Sequence, residues 1–323
     1  MRAWQVVERG RAVLVDDASV PHLDPDDPHA TVVEVHAAAA NFADRLMIDG
    51  RYQLRPRTPF VPGFEVAGLV RATNSIRLQV GDRVAGVADP RHGSWAEVAS
   101  ADDRHLTVLP DDLGWIDAIG LHVNAQTAWF ALHRAARLRR ADLVLVHAAA
   151  GGVGSMAVQL AVAHGCRVVG TASPGKLAVV RSLGAELAVD NRDASWPSRI
   201  RDAVGEIDVV IDPVGDAVFA GSWQLLGLEG RYVTVGFTSG GIPEVPANEA
   251  LVRNLSLHGM YWTPYATARP DLVAEAATEI FRLHRDGRLD PCVTVTARLE
   301  EALACVDRVA TGATTGKTVL VVR

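Results

Sequence analysis

The sequence predicts a two-domain α/β protein in which a β-rich unit precedes a doubly wound parallel sheet. The chain has 323 residues, which is too long for one ordinary hydrophobic core and favours about two domains. Near residue 120 the pattern changes from short strand-like runs to alternating apolar strands and helices. Hydrophobic residues make up 49% and charged residues 22% of the chain, which fits a globular protein with a buried parallel sheet.

Residues 1 to 120 favour an antiparallel, barrel-like unit. Its strand-like runs are separated by Pro, Gly and Asp turns, and they read TVVEVHAA, FEVAGLV, DRVAGVA and WAEVA. From about Asp142 strands and helices alternate with short connections, from LVLVHAA and GVGSMAVQLAVAHG to GRYVTVGF. Such alternation requires a parallel sheet with right-handed crossovers.

The last part of the chain holds two predicted helices and a strand. The helices run from about Leu272 to Arg285 and near Leu299 to Ala310, and the strand is KTVLVV. Because chain ends often belong to one unit, we expect these elements to complete the first domain.

Composition narrows the class of function. A net charge of -6 leaves no basic surplus, so a nucleic-acid partner is not expected. The N-terminus lacks the apolar stretch of a secretory signal, so we expect a cytoplasmic protein. Leu143 to Cys166 carries no charged residue, but its Ala-Gly-Gly-Val-Gly centre favours a buried strand-turn-helix over a membrane span. Three separated cysteines fit a reducing compartment and exclude a four-cysteine zinc lobe.

A glycine-rich segment marks a candidate nucleotide site. The segment Ala148 to Gly154 lies where a strand ends and a helix begins, and it contains Gly151, Gly152 and Val153. Glycines allow close approach of the backbone to a pyrophosphate, and the helix N-terminus stabilises the anion. Ala149 replaces the usual first glycine, so a tight turn in any α/β domain is the alternative interpretation.

The end of the second strand favours NADP(H) over NAD. NAD-specific proteins place an acidic residue about 20 residues beyond the glycine loop, and this chain has Thr171-Ala172-Ser173 there. This position therefore has no carboxylate that would repel a 2'-phosphate. Ser173 and Lys176 can donate hydrogen bonds to that phosphate. A solvated first helical turn is an equally weighted interpretation of Lys176.

With these motifs placed, the chain resembles zinc-free quinone oxidoreductases of the medium-chain dehydrogenase/reductase superfamily over essentially its whole length. The resemblance implies a GroES-like catalytic domain over residues 1–120 and 262–323, a Rossmann NADP(H)-binding domain over 121–261, and a nicotinamide in the cleft between them. The matching stretches are NFADRLMIDGRY, PGFEVAGLV, Thr127-Ala128-Trp129 to VHAAAGGVG, Asp212-Pro213-Val214-Gly215, GRYVTVGF with PANEALVRNLSLHGMYW, and Gly316-Lys317-Thr318-Val319.

The resemblance also implies a set of cofactor-binding residues. Asn41 and Thr127 would face the nicotinamide end, and Phe237 would bracket the ring unless it is a buried strand-end aromatic. Two departures weaken the 2'-phosphate site: Asn191 stands where relatives often carry Tyr, and Gly312 near where some carry Arg. The full expected set is Asn41, Thr127, Gly151, Gly152, Val153, Gly154, Thr171, Ser173, Lys176, Val214, Gly236, Phe237 and Thr238.

The resemblance argues against a catalytic zinc. Zinc relatives use Cys where this chain has Asn41, and Gly-His-Glu where it has Gly63-Phe64-Glu65. Because a catalytic zinc usually needs three protein ligands, no metal is expected. Lone histidines such as His122 and His147 are interpreted as core groups.

The expected chemistry is hydride transfer to an electron-poor acceptor, a quinone or an α,β-unsaturated carbonyl. Asn41 is a candidate donor to the oxygen that gains charge. Tyr52 resembles the proton donor of related enoyl reductases, but for a quinone it would shape the pocket, and a surface-loop aromatic is the alternative interpretation. Asp44 and Glu65 are interpreted as structural.

Two alternative functions remain, and a homodimer is expected. The first is an enoyl-thioester reductase, with Arg51, Arg55 and Arg57 as candidates for docking an acidic substrate. The second is a nucleotide-binding protein without turnover. The apolar run LSLHGMYW reads as an edge strand, and in relatives a similar strand joins two subunits.

Overall fold

The structure, a computed structural model, describes all 323 residues and divides into two compact units. Unit 1 comprises Met1–Val123, Thr263–Ala277 and Pro291–Arg323, and unit 2 comprises Asn124–Trp262 and Thr278–Asp290. The predicted α/β fold with a parallel sheet is confirmed.

The chain forms fifteen strands and eleven α-helices. The strands are β1 (Ala3–Glu8), β2 (Arg11–Val15), β3 (Ala30–Ala39), β4 (Glu65–Thr73), β5 (Arg83–Val87), β6 (Val98–Asp102), β7 (Leu106–Val108), β8 (Leu143–Val146), β9 (Arg167–Ala172), β10 (Leu187–Asp190), β11 (Ile207–Asp212), β12 (Leu226–Thr234), β13 (Ser256–Gly259), β14 (Val293–Arg298) and β15 (Lys317–Val321). The helices are α1 (Phe42–Ile48), α2 (Trp115–Leu121), α3 (Val123–Trp129), α4 (Gly152–His164), α5 (Leu177–Ser182), α6 (Trp196–Val204), α7 (Asp216–Leu225), α8 (Ala247–Arg253), α9 (Thr263–Ala268), α10 (Pro270–Arg285) and α11 (Ala302–Ala310).

Unit 1 is built on a seven-stranded sheet of order β14-β15-β3-β4-β5-β7, with β6 also paired to β3. Strand β3 runs antiparallel to both β15 and β4. Antiparallel neighbours bring the end of β3 beside the beginnings of β15 and β4. The fully buried Trp95 supports this region, since its Nε1 donates to the carbonyl of Ala39 at 2.8 Å.

Unit 2 is built on a six-stranded parallel sheet of order β10-β9-β8-β11-β12-β13. The order reverses at β8, where successive strands begin to add on the other side. In sheets of this order, dinucleotides bind outside the carboxyl ends of the strands at the reversal. Trp196, Phe219, Trp223 and Tyr232 belong to one hydrophobic core with apolar residues of β8 to β12.

Residues 278–290 group with unit 2, whereas the sequence suggested that they belong with the N-terminal part. Trp129 Nε1 donates to Glu279 Oε2 at 2.7 Å, and Gln159 Nε2 donates to the carbonyl of Asp290 at 3.1 Å. These bonds tie the second half of α10 and the following loop to α3 and α4.

The uncharged stretch from Leu143 to Cys166 forms β8, the glycine loop and α4. No helix of this protein combines the length and the apolar character that crossing a membrane would require.

Candidate functional site

A buried polar cluster in unit 1 surrounds Asn41, which lies just after the end of β3. The Nζ of Lys317 donates to Asn41 Oδ1 at 2.9 Å and also to the carboxylate of Glu65. The other carboxylate oxygen of Glu65 accepts from the backbone N–H of Val123 at 3.0 Å. Lys317 is 3% exposed and Glu65 is fully buried, so the ion pair is shielded from water.

Strand pairing brings these three residues together from distant parts of the chain. Val319 of β15 pairs with Ala39, and Val66 of β4 pairs with Ala38. Lys317 and Glu65, at the beginnings of those strands, therefore flank Asn41. Gly316 precedes Lys317 with a φ of +55°, and a Cβ there would collide with the carbonyl of Cys292, so the turn into β15 requires glycine.

Asp44 lies beneath Asn41 and holds the start of α1. Its carboxylate accepts from the backbone N–H of Asn41 at 2.8 Å and from that of Phe64 at 2.7 Å. Burial nevertheless raises the pKa of Asp44 to about 7, because it outweighs these bonds and the charge of Lys317. Asp44 and Glu65 both act on the surrounding backbone, in agreement with their interpretation as structural groups.

Tyr52 and Phe64 form an aromatic pair in the same region of unit 1. Their ring centroids lie 6.4 Å apart with an edge-to-face angle of 74°. Phe64 is buried, and its backbone N–H is bound to Asp44, so Tyr52 lies near the polar cluster through its contact with Phe64. Tyr52 is half-buried, which differs from a freely exposed loop aromatic.

His122 is neutral in this surrounding. Burial, and secondarily the charge of Lys317, lowers its pKa to about 3. Its Nε2 lies 3.1 Å from the hydroxyl of Thr107. This agrees with the interpretation of His122 as a core group.

In unit 2 the glycine loop follows β8 and ends in the first turn of α4. Ala148 has a φ of +47°, and its carbonyl accepts from the N–H of Gly151 at 2.8 Å. A Cβ on Gly152 would collide with the carboxamide of Asn124, and one on Gly154 would collide with the carbonyl of Ala148. The first N–H groups of a helix lack intrahelical acceptors, so this loop can cradle an anion.

Ala149 replaces the first glycine because Gly170 of β9 makes room for it. A Cβ on Gly170 would approach the methyl group of Ala149 to 2.8 Å. The backbone N–H of Ala149 donates to the carbonyl of Thr171 at 2.9 Å. The residue without a side chain at this contact is thus Gly170 in β9 rather than a glycine in the loop, and the loop remains closely packed on the sheet.

Thr171 belongs to a buried hydrogen-bonded group that packs next to the glycine loop. It is 1% exposed, and its hydroxyl lies 2.8 Å from His147 Nδ1, whose Nε2 lies 2.6 Å from the hydroxyl of Ser222. Burial lowers the pKa of His147 to about 3, so the ring is a neutral bridge between β8, β9 and α7. The side chain of Thr171, expected among the cofactor contacts, is thus committed to the core.

The end of β9 presents a group of polar and cationic side chains. Ser173 and Lys176 are half-buried, and the backbone N–H of Asn191 donates to the carbonyl of Ala172 at 3.0 Å, which brings the loop after β10 alongside. Burial and then the charge of Arg192 lower the pKa of Lys176, so these two cations lie near one another. Arg192 is not among the residues expected from the sequence, although it directly follows Asn191, which departs from the pattern of the relatives.

Asp212 organises the loops after β11 and β12. Its carboxylate accepts from the N–H of Val214 at 2.7 Å and of Gly215 at 3.0 Å, and from the hydroxyl of Tyr232 at 2.7 Å. Its backbone carbonyl accepts from Val235 at 2.7 Å. In the sequence this turn is visible only as part of the family resemblance, and no local pattern marks Asp212 and Tyr232 as partners.

The two loops are also joined directly. The N–H of Thr238 donates to the carbonyl of Pro213 at 3.1 Å, and that of Ser239 donates to Val214 at 2.9 Å. Phe237 is 37% exposed, so it is not a buried strand-end aromatic. Val214, Gly236, Phe237 and Thr238, all expected at the cofactor, therefore lie together at the carboxyl ends of β11 and β12. Thr127, half-buried in α3, also belongs to unit 2.

Lys317 is another residue to which sequence analysis gave no role. The chain contains two lysines, Lys176 and Lys317, among 32 lysines and arginines. Both lie in candidate sites. This rarity is the signal in the sequence that points to them.

Comparison with known proteins assigns the family. Residues 27–111 match the alcohol dehydrogenase GroES-like domain, and residues 152–278 match the zinc-binding dehydrogenase family. A quinone oxidoreductase-like protein 2 homolog from Nematostella vectensis is 32% identical over 99% of this chain and 88% of its own length. The chain belongs to the quinone oxidoreductase branch of the medium-chain dehydrogenase/reductase superfamily.

Other members of the superfamily resemble this one in structure or in part of their length. The quinone oxidoreductase from Thermus thermophilus, whose complex with NADPH is also solved, has a TM-score of 0.78 and 33% identity over the full length of both chains. A mycocerosic acid synthase-like polyketide synthase from Mycobacterium tuberculosis is 32% identical over 92% of this chain, which corresponds to 14% of the synthase. The GroES-like and Rossmann-type fold implied by the sequence resemblance is therefore confirmed.

Proposed function

We propose that this protein is a zinc-independent reductase that uses NADPH to transfer hydride to quinones or related α,β-unsaturated carbonyls. The observation that carries the proposal is the buried Lys317 ammonium between Asn41 and Glu65. By the sequence resemblance, Asn41 and Phe64 stand where zinc relatives carry metal ligands, so the Lys317 ammonium would supply a positive charge in place of the zinc. This supports a reaction whose acceptor needs no metal to polarise it.

The residues at this place do not form a zinc site. A carboxamide at Asn41 and a phenyl ring at Phe64 offer none of the thiolate or imidazole ligands that zinc prefers, and one carboxylate from Glu65 remains. That carboxylate is already paired with Lys317. A second cation placed beside the ammonium would be repelled.

The fit to NADPH is supported by unit 2. Gly152 and Gly154 leave no room for side chains, as expected where a pyrophosphate approaches the start of α4. Ser173, Lys176 and Arg192 at the end of β9 can donate to a 2'-phosphate, and the 33% identical Thermus enzyme has been solved with NADPH. Arg192 would compensate for the tyrosine that Asn191 replaces.

The residues of unit 1 would assist the acceptor. The nicotinamide supplies the hydride when bound. The Nδ2–H of Asn41 would donate to the acceptor oxygen that gains negative charge. For a quinone the resulting oxyanion takes a proton from water, and Tyr52 stacks against the ring; for an enone Tyr52 would also be placed to give the proton to carbon.

Enoyl-thioester reduction is the second candidate, supported by the likeness to the polyketide synthase from Mycobacterium tuberculosis. Arg51, Arg55 and Arg57 are exposed and would attract an acidic carrier or coenzyme A. Arg55 Nε donates to the carbonyl of Tyr52 at 3.2 Å, so these arginines lie beside the candidate proton donor.

The experiment that separates these functions is cofactor oxidation with a panel of acceptors. Purified protein is given NADPH or NADH together with 1,4-benzoquinone, 9,10-phenanthrenequinone or crotonyl-coenzyme A. Quinone turnover with NADPH preferred is the expected result. Turnover of crotonyl-coenzyme A alone would move the assignment to enoyl reduction, and no turnover while NADPH binds would favour the non-catalytic alternative.

A homodimer is proposed from the edge of the parallel sheet in unit 2. Strand β13 is the last strand of that sheet, and its outer edge has no partner strand. Leu251 and Val252 of the neighbouring α8 are 77% and 75% exposed, and Leu257 of β13 is 42% exposed. An open edge flanked by apolar side chains favours pairing with a second copy.

We also propose a cytoplasmic location. Cys166, Cys292 and Cys305 form no disulfide. Burial raises the pKa of Cys166 to about 11, which makes it an unreactive thiol rather than a redox centre. Cysteines that form no disulfide are usual in proteins of reducing compartments.

A further inference from the structure

We infer that Lys317 is a positioning residue that fixes the carboxamide of Asn41 as a hydrogen-bond donor. The inference rests on the proposed function, in which Asn41 donates to the acceptor oxygen. An asparagine can turn either its oxygen or its NH₂ group toward a ligand, and only the second stabilises an oxyanion.

The Lys317 ammonium determines the orientation of the Asn41 carboxamide. Lys317 Nζ carries three donors and no acceptor, so the atom 2.9 Å from it must be Oδ1 of Asn41. The Nδ2 group then lies on the opposite side of the amide, where one N–H reaches Glu65 Oε2 at the long distance of 3.5 Å. The second N–H remains for a ligand, and Asn41 as a whole is half-buried rather than enclosed.

The ammonium itself is held at one place. Glu65, which pairs with it, is anchored by the backbone N–H of Val123. The backbone of Asn41 is anchored from below, because its N–H donates to Asp44. With both ends of the Lys317–Asn41 bond fixed, the amide cannot flip without leaving the buried ammonium short of an acceptor.

The hydrogen bond from Lys317 also makes Asn41 a stronger donor to the acceptor. A charge-assisted hydrogen bond to Oδ1 draws electron density from the amide and strengthens Nδ2–H as a donor. Lys317 thus acts on the reacting oxygen through Asn41, without touching it. Its compact ammonium suits the buried place better than a guanidinium, and the chain otherwise uses arginine for nearly all its cations.

A double-mutant cycle on kcat tests the inference. Lys317→Met alone would leave Glu65 as an unpaired buried charge, so the variant is made together with Glu65→Gln, whose amide oxygen can still accept from Val123. We expect Asn41→Ala to lower kcat about 100-fold, as for loss of an oxyanion donor, and the paired variant to lower it about 10-fold. In the Asn41→Ala background the paired change should cost less than about twofold, because the residue through which Lys317 acts is already gone.

The cycle separates positioning from mere structural support. If Lys317 and Glu65 had only a structural role, the paired change would lower kcat by the same factor, and Tm by the same number of degrees, in the wild-type and in the Asn41→Ala background. Multiplicative losses in kcat would therefore overturn the inference. The dissociation constant of NADPH is measured for every variant, so that kcat values are compared at saturating cofactor.

A second measurement does not depend on turnover. Because the chain has two lysines, protein labelled with ¹⁵N at lysine Nζ gives two ammonium signals, and Lys176→Met identifies the one that belongs to Lys317. We expect the Lys317 signal to shift and its proton exchange to accelerate in Asn41→Ala. An unchanged Lys317 signal would mean that no such bond exists and would overturn the inference, whereas wild-type protein that reduces no acceptor would overturn the proposed function alone.

Discussion

At the scale of single residues, burial determines which groups can exchange protons near neutral pH. Burial lowers the pKa of His122 and of His147 to about 3, so both rings remain neutral. It raises the pKa of Asp44 to about 7, so this carboxyl group titrates in the physiological range. Asp44 accepts hydrogen bonds from the backbone N–H groups of Asn41 and Phe64. Its protonation state therefore affects the backbone that carries Asn41.

The first prediction concerns the pH dependence of stability. Because the folded-state pKa of Asp44 lies above its ordinary value of 3.8, the folded protein binds more protons than the unfolded chain between about pH 4 and 7. This contribution to the free energy of unfolding is complete below about pH 4 and is lost as the pH rises through about 7. Urea unfolding across this range should show a shallower decline for Asp44→Asn than for the wild type. Asp49→Asn, on the adjoining turn, is the control, and parallel curves for all three proteins would contradict the assignment.

The second prediction concerns the two cations after β9 and β10. Arg192→Ala and Lys176→Ala should each raise the dissociation constant of NADPH by about 10-fold and leave that of NADH unchanged, since a hydrogen bond to a charged group contributes roughly 1.5–3 kcal/mol. Titration of intrinsic fluorescence measures both constants. Arg199→Ala is the matched control, because Arg199 pairs with Asp193 at 3.0 Å. Equal losses for NADPH and NADH would exclude a phosphate contact.

Residues within one motif could be predicted from the sequence, whereas the contacts between residues joined by strand pairing could not, even where a rare residue type marks one of them. Asn41, Tyr52 and the glycines of the loop lie in ordered motifs whose spacing identifies them. Lys317 meets Asn41 only because β15 pairs with β3, which no local pattern reveals. Arg192 likewise reaches the end of β9 because β10 pairs with that strand.

At the scale of secondary-structure elements, the loops after the parallel strands form the candidate cofactor site of unit 2. The alternation of strand and helix predicted these loops, but the strand order that gathers them is a property of the assembled sheet. The helical periodicity of α10 predicted the helix itself. It did not predict that residues 278–290 group with unit 2, because the tie depends on Trp129 and Gln159.

The third prediction tests the close packing at the start of α4. Gly152→Ala places a Cβ against the carboxamide of Asn124, so the loop must move, and NADPH affinity should fall at least about 10-fold, the equivalent of one lost hydrogen bond to a charged group. Adding Asn124→Ala removes the obstacle and should restore part of the affinity. Isothermal titration of the single and double variants measures this. Wild-type affinity in the single variant would show that the loop accommodates a side chain at Gly152 and would contradict the close packing.

At the scale of the whole molecule, similarity over nearly the full length links both units to one family. Family membership does not by itself fix the oligomeric state, which depends on the surface of unit 2. The apolar side chains beside the open edge of β13 are the feature that favours a dimer.

The fourth prediction is a dimer that one charge can disrupt. Light scattering at micromolar concentration should give a mass twice the 34.5 kDa of the chain. Leu257→Asp should shift the mass toward the monomer, because a carboxylate would be buried at the paired edge. Ile76→Asp, at a fully exposed apolar residue in unit 1, is the control and should leave the mass unchanged. A monomeric wild type would contradict the proposed assembly.

The most direct test of the central claim is NADPH oxidation with 9,10-phenanthrenequinone before and after exhaustive dialysis against a zinc chelator, with zinc per chain measured on the same samples. We expect the same kcat in both samples and no stoichiometric zinc, because under the proposed function the Lys317 ammonium would take the place of the metal. Loss of turnover on chelation, restored by added zinc, would contradict it.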